Sequence, residues 1–272
     1  MEVKIYGSRG TMPFSGGNNI RYGGNTSCIR VDVSGETIII DCGSGLARFH
    51  TDITPRLKQG ENIRLSILLS HLHLDHICGL SAFSPLFNGK HDIRIFTKSR
   101  DVRPLASQIF GIFRPPYWPV ELEKMNCAKL TAINEDEPFT LSDGIKITPF
   151  SARHQDGTTA FRIEADKTLI YLLDYEINED TDPLSGPLLE YCRNADLIIF
   201  DSSYLPEDYE KKRGWGHSTY KAAIGLAKRC GCKKMILCHL HYEYSDNILD
   251  LIAEKVKNNG HLLAYDGMEL SI

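Results

Sequence analysis

His71-Leu72-His73-Leu74-Asp75-His76 follows directly on Leu65-Ser66-Ile67-Leu68-Leu69 and Ser70. The apolar run has strand length and reads as a buried strand ending at Ser70. If the chain stays extended at that exit, His71 and His73 project to one side, because side chains alternate with period two. His76-Ile77-Cys78-Gly79-Leu80 suggests a turn into a helix, with Asp75 and His76 in its first turn. Imidazoles and carboxylates suit zinc, iron or manganese. Four such groups within six residues can divide between two adjacent ions. A solvated His-rich loop is the plainer reading, but three His and an Asp at this spacing, flanked by leucines, argue against it.

Composition sets the frame around this cluster. The chain has 272 residues, 42% hydrophobic and 24% charged, which is ordinary for a globular protein with a real core. One domain spanning 1–272 is the expectation. A formal net charge of -4 argues against extended nucleic-acid binding, which usually needs a basic excess. A small phosphorylated substrate stays compatible, because a metal pair supplies positive charge. Met1-Glu2-Val3-Lys4-Ile5-Tyr6 opens without an apolar stretch of signal length, and no run approaches a membrane span. A cytoplasmic protein with no membrane partner is expected, and a homodimer is left open. The eight cysteines (Cys28, Cys42, Cys78, Cys127, Cys192, Cys230, Cys232, Cys238) form no CxxC pair and read as reduced thiols.

Strand patterns alternate with helical ones throughout. Strands are predicted at Val3–Tyr6, Cys28–Val33, Thr37–Asp41, Leu65–Leu69 and Ile93–Thr97, then at Ile145–Pro149, Ala160–Glu164, Thr168–Leu173, Leu197–Phe200 and Lys234–Cys238. Helices are predicted at Gly45–Leu57, Val102–Phe110, Thr219–Arg229 (capped by Ser218 and closed by Gly231) and Asp246–Asn258. Gly7–Gly24, Arg114–Pro119 and Asn178–Pro187 read as loops, with Tyr117 and Trp118 as candidate substrate-wall residues. No solenoid-length repeat is visible. Two facing sheets with helices outside fit this order.

H-x-H-x-D-H after an apolar strand resembles the metallo-β-lactamase superfamily. Other positions match in order: Ile38-Ile39-Ile40-Asp41, Ser151-Ala152-Arg153-His154, Tyr171-Leu172-Leu173-Asp174 and Leu237-Cys238-His239. The resemblance implies an α+β fold, a four-layer αββα sandwich of two mixed sheets with helices outside. It implies two divalent ions, with zinc, manganese and iron all suited to the ligands. His71, His73 and His154 would hold one ion, Asp75, His76 and His239 the other, and Asp174 would bridge them. Asp41 would orient the site from behind the ligands. Cys238-His239-Leu240-His241 leaves two alternating histidines; the family pattern favours His239 and leaves His241 as a supporting, substrate or surface group.

Two further segments are similar to the phosphodiesterase-like branch, which includes the carbon–phosphorus lyase-associated phosphodiesterase and the tRNA 3′-processing endonucleases. They are the glycine-rich start, Gly7-Ser8-Arg9-Gly10-Thr11, and Gly216-His217-Ser218-Thr219. The resemblance casts His217 and Asp75 as catalytic, His217 aiding departure of the leaving alkoxide, with Asp201 orienting His217 or capping a turn. A metal-bridging hydroxide would attack a small phosphodiester or nucleotide. The endonucleases' long arm has no room between His154 and Asp174, and the cysteines do not match the extra zinc site of the lyase-associated enzyme. Fold does not settle chemistry. A thioester or lactone hydrolase, a flavodiiron-like redox member and a non-catalytic metal-binding module therefore remain as alternatives.

Overall fold

The computed structural model describes residues 1–124, 128–141, 144–155, 157–177 and 186–272. Cys127 and most of the Asn178–Pro187 loop lie outside the described residues. The first half runs β1 (Glu2–Gly7), β2 (Cys28–Val33), β3 (Glu36–Ile40), α1 (Leu46–Lys58), β4 (Arg64–Leu68), α2 (Leu74–Ile77), β5 (Asp92–Lys98), α3 (Leu105–Phe110) and β6 (Ala128–Ile133). The second half begins with β7 (Phe139–Thr140), β8 (Lys146–Ala152), β9 (Thr158–Glu164), β10 (Thr168–Leu172), α4 (Pro187–Cys192) and β11 (Leu197–Asp201). It continues through α5 (Pro206–Lys212), α6 (Tyr220–Cys230), β12 (Lys234–Cys238), α7 (Asp246–Lys257), β13 (Leu262–Leu263) and β14 (Glu269–Ser271).

Two mixed sheets result, ordered β14-β1-β2-β3-β4-β5-β6 and β13-β12-β11-β10-β9-β8-β7. Both are built the same way. Antiparallel pairing runs from β14 to β3 and from β7 to β10; parallel pairing runs from β3 to β6 and from β10 to β13.

The central strands are apolar on both faces because both faces are covered. Ile38 and Ile40 of β3, Leu169 and Tyr171 of β10, and Ile236 and Cys238 of β12 fill the core between the sheets. Their neighbours Ile170, Leu172, Met235 and Leu237 face outward against α4, α6 and α7. Ile39, Leu65 and Ile67 pack on the other side with Leu46, Phe49 and Ile53 of α1. The layers are helix, sheet, sheet, helix, as the resemblance implies.

The sequence pattern misses four strands. β6 is an edge strand whose burial is mostly partial, and β7, β13 and β14 are two or three residues long. None presents an apolar run. Thr219, not Ser218, caps α6, its hydroxyl accepting from Ala222 N at 3.2 Å. Ser218 instead donates to Tyr175 O at 2.6 Å and accepts from Ile177 N at 2.9 Å. Gly231 closes the helix at φ 68°.

Candidate metal centre

The candidate ligands gather where strands end at one common edge, with Asp75 and His76 in α2, the helix that follows β4. Parallel register aligns these exits: Ile40 pairs with Leu68, Leu172 with Phe200, and Asp201 with Cys238. Asp41, Asp174 and His239 each follow their strand at φ 58°, 52° and 59°. Left-handed backbone is unfavourable for residues with a Cβ, and its recurrence at three exits marks a constrained site. His73 precedes α2 in extended conformation, which puts Asp75 and His76 in the first turn. The His71 and His73 rings meet at a centroid distance of 4.4 Å.

The side chains converge as two groups. His71, His73 and His154 bring ligand atoms within 4.8 Å of one another, and Asp75, His76 and His239 do the same. Asp174 stands between them. Its Oδ1 faces His71 Nε2 at 3.8 Å and His154 Nε2 at 3.6 Å; its Oδ2 faces His76 Nε2 at 3.1 Å and His239 Nε2 at 3.3 Å.

Hydrogen bonds behind the rings fix which nitrogen faces inward. Asp41 accepts from His76 Nδ1 at 2.7 Å. Ser203 spends its O–H on His239 O at 2.6 Å, so its oxygen accepts from His239 Nδ1 at 2.9 Å. Gly216 O accepts from His154 Nδ1 at 3.0 Å. Ser70 donates to Asp41 and so accepts from His71 Nδ1 at 3.0 Å. These tautomers follow from the network. In a neutral ring each leaves an Nε2 lone pair facing a carboxylate, an arrangement that only a cation relieves.

Lone pairs packed against lone pairs call for a cation. His71 Nε2 and Asp174 Oδ2 are buried and without a hydrogen-bond partner. Divalent ions fit this donor set, and two of them match its two halves. The charges point the same way. Burial opposes charge on His239, but Asp174 and Asp75 outweigh it and raise its pKa to about 9. Burial would likewise raise Asp75, yet His76 and His239 hold it well below the usual carboxylate range. His71 is pushed far down by burial and by His76.

Backbone and loop residues support the site from several directions. Thr11 N donates to Asp75 Oδ2 at 2.7 Å, which brings the glycine-rich start into the site. Gly10 lies under the His239 ring: a Cβ there would sit 2.1 Å from its Cε1. Gly216, at φ 86°, lies equally close to His154, its notional Cβ 2.0 Å from Nδ1. Buried Glu176 accepts from Gly214 N at 2.8 Å, Gly216 N at 2.9 Å and the Tyr209 hydroxyl at 2.7 Å, clamping the loop that carries His217. No local pattern marks Glu176 or Tyr209.

His217 stands beside this centre, its ring stacked on His239 with centroids 4.9 Å apart. Its Nδ1 donates to Asp201 Oδ2 at 2.8 Å. Asp201 also accepts from Ser203 N, Ser218 N and Asp174 N, so it holds His217 and caps the neighbouring turns at once. His241 joins none of the ligand groups. Its backbone oxygen accepts from buried Arg9 at 2.9 Å, and its ring lies 5.8 Å from Tyr204. Of the predicted wall residues, Trp118 packs on the outer core of the first sheet, and Tyr117 is exposed.

Comparison with known proteins agrees with this architecture. The chain is 26% identical to the Ribonuclease Z of Methanosarcina acetivorans, over 91% of this chain and 92% of that protein. Zn(2+)-bound PqqB from Methylobacterium extorquens superposes with a TM-score of 0.76 at 17% identity, over the whole of both chains. A diphosphatase from the PhnP family superposes at 0.68 with 17% identity, over 99% of this chain and 96% of that one. The sequence profile of the Beta-lactamase superfamily domain matches residues 36–240, from β3 to just beyond His239, and the chain belongs to that family.

Proposed function

We propose that this chain is a metal-dependent phosphodiesterase acting on a small phosphodiester or nucleotide, with residues 1–272 working as one domain. His71, His73 and His154 would hold one divalent ion and Asp75, His76 and His239 the second, with Asp174 available to both. Zinc or manganese suits this mixed His/carboxylate set best, with iron third; zinc is the ion that the PqqB structure contains. The likeness to Ribonuclease Z and to the PhnP-family diphosphatase supports phosphoester chemistry. The short turn between β9 and β10 and the net charge of -4 favour a small substrate over a long RNA. Among the described residues no helix is long and apolar enough to cross a membrane, and a cytoplasmic location is part of the proposal.

The observation that carries the reading is the Asp201–His217 pair at the rim of the ion site. When bound, a divalent pair supplies a water of lowered pKa and positive charge for the phosphoryl oxygens. The rest falls to the chain. Asp201 fixes the His217 ring through Nδ1, which leaves Nε2 as the atom to pass a proton to the departing oxygen. Asp75, anchored by Thr11 N, keeps its carboxylate between His76 and His239.

The test is His217→Ala with two esters. Metal content should stay at the wild-type level. Turnover of an alkyl phosphodiester should fall by roughly 10²–10⁴, and that of a p-nitrophenyl ester far less, because its leaving group needs no proton. Unchanged turnover of the alkyl ester removes His217 from the mechanism. Hydrolysis of thioesters or lactones without any phosphodiester would overturn the function itself.

A further inference from the structure

Next to the His217 rim, two hydrogen-bond donors meet with no acceptor between them. Buried Tyr204 stands edge-on to His217, ring centroids 5.6 Å apart. The Lys212 ammonium, at the end of α5, lies 4.6 Å from the centroid of that same Tyr204 ring. His241 is the other neighbour of Tyr204, walled further by Tyr242 and Tyr244. His241 Nδ1 accepts the Glu243 backbone N–H at 3.3 Å, which leaves the ring proton on Nε2. That Nε2 faces Lys212 Nζ at 3.5 Å. An ammonium only donates, so both atoms offer protons to the same place.

The Glu243 carboxylate stands 3.8 Å from His241 Nδ1, the ring nitrogen opposite the one that faces Lys212. Among the described residues the contacts of Lys212 are His241 and the Tyr204 ring. Asp208, one turn earlier on the helix, is taken by the Tyr244 hydroxyl at 2.7 Å. A half-buried cation aimed at a second donor is an arrangement that an anionic oxygen completes.

We propose that Lys212 and His241 form a subsite for a second phosphate of the substrate, on the leaving-group side of His217. The inference rests on the phosphodiesterase reading above and narrows it. The preferred substrate is a phosphodiester whose departing fragment bears a terminal phosphate, such as a phosphorylated dinucleotide. Lysine acts here as a point charge held against the Tyr204 ring, and His241 adds a second donor that fixes the oxygen's direction.

The experiment has a binding arm and a kinetic arm. Metal-stripped protein is titrated calorimetrically with 5′-AMP and with adenosine. Lys212→Met, which removes the ammonium and keeps an unbranched chain, should weaken 5′-AMP binding about tenfold or more, and Lys212→Arg should retain most of it. With ions restored, wild type should favour pApA or ApAp over ApA in kcat/KM, and Lys212→Met should shrink that ratio about tenfold. Equal 5′-AMP affinity in wild type and Lys212→Met, or an unchanged ratio, overturns the subsite. Loss of 5′-AMP binding in Lys212→Met, with no dinucleotide cleaved by wild type, supports the subsite and overturns the phosphodiesterase reading instead.

Discussion

Nδ1 of His217 lies 2.8 Å from Oδ2 of Asp201, and the same oxygen accepts the backbone N–H of Asp174 at 3.1 Å. One carboxylate therefore holds both the ring proposed as proton donor and the backbone of the residue proposed to lie between the two ions. Asp201→Asn keeps the shape but cannot accept all four hydrogen bonds that Asp201 takes, among them the one that orients His217. Single-turnover rates on an alkyl phosphodiester, measured with metal at saturation, should fall by roughly 10²–10⁴. A rate within twofold of wild type would show that the pair is structural.

Gly216→Ala tests how the first ion position is built. The new Cβ would sit 2.0 Å from His154 Nδ1 on a backbone at φ 86°. Left-handed backbone alone costs an alanine about 1–2 kcal/mol, and the ring must move besides. The metal-to-protein ratio should drop from two toward one, read by elemental analysis after dialysis. Full occupancy would mean that His154 is not a ligand.

Asp41→Asn tests the support behind the second position. Fully buried Asp41 accepts from Ser70 N at 2.8 Å, Ser70 Oγ at 2.7 Å, His76 Nδ1 at 2.7 Å and the Tyr171 hydroxyl at 2.5 Å. An amide cannot accept all four. Stability to urea should fall by about 1–3 kcal/mol, and metal affinity by roughly 10–100-fold. Tyr171→Phe, losing one donor, should cost only about 1 kcal/mol. A larger loss for Tyr171→Phe than for Asp41→Asn would place the weight on the tyrosine's packing.

Chelation should lower thermal stability, because the ligand groups come from strand exits that meet only in the folded chain. An ion present at a hundred times its Kd adds about 2.7 kcal/mol. The melting temperature should fall on stripping and recover with zinc or manganese. An identical melting curve for stripped and reloaded protein would argue that no ion is held.

The sequence by itself determined the local grammar of this protein. Apolar runs covered on both faces announced the central strands, and a ligand-type residue after each run announced the edge where they end. The cluster from His71 to His76 was legible because its members are neighbours, and side-chain alternation with one helical turn suffices to aim them. Edge strands such as β6 and β14 stayed hidden because half-exposed or very short segments carry no periodic apolar signal.

Tertiary structure alone decided which groups meet and which nitrogen each ring presents. Asp41 reaches His76 across 35 residues, and His239 stacks on His76 across 163. Gly10 makes room for His239, and Glu176 clamps the loop that aims His217. His239 and His241 alternate in sequence, and only the family resemblance favoured His239 there. Left-handed backbone at His239 turns its ring inward, and Arg9 holds the His241 carbonyl outside the ligand groups. Tautomer, burial and the facing of lone pairs depend on partners far along the chain, so they exist only once the two sheets have packed.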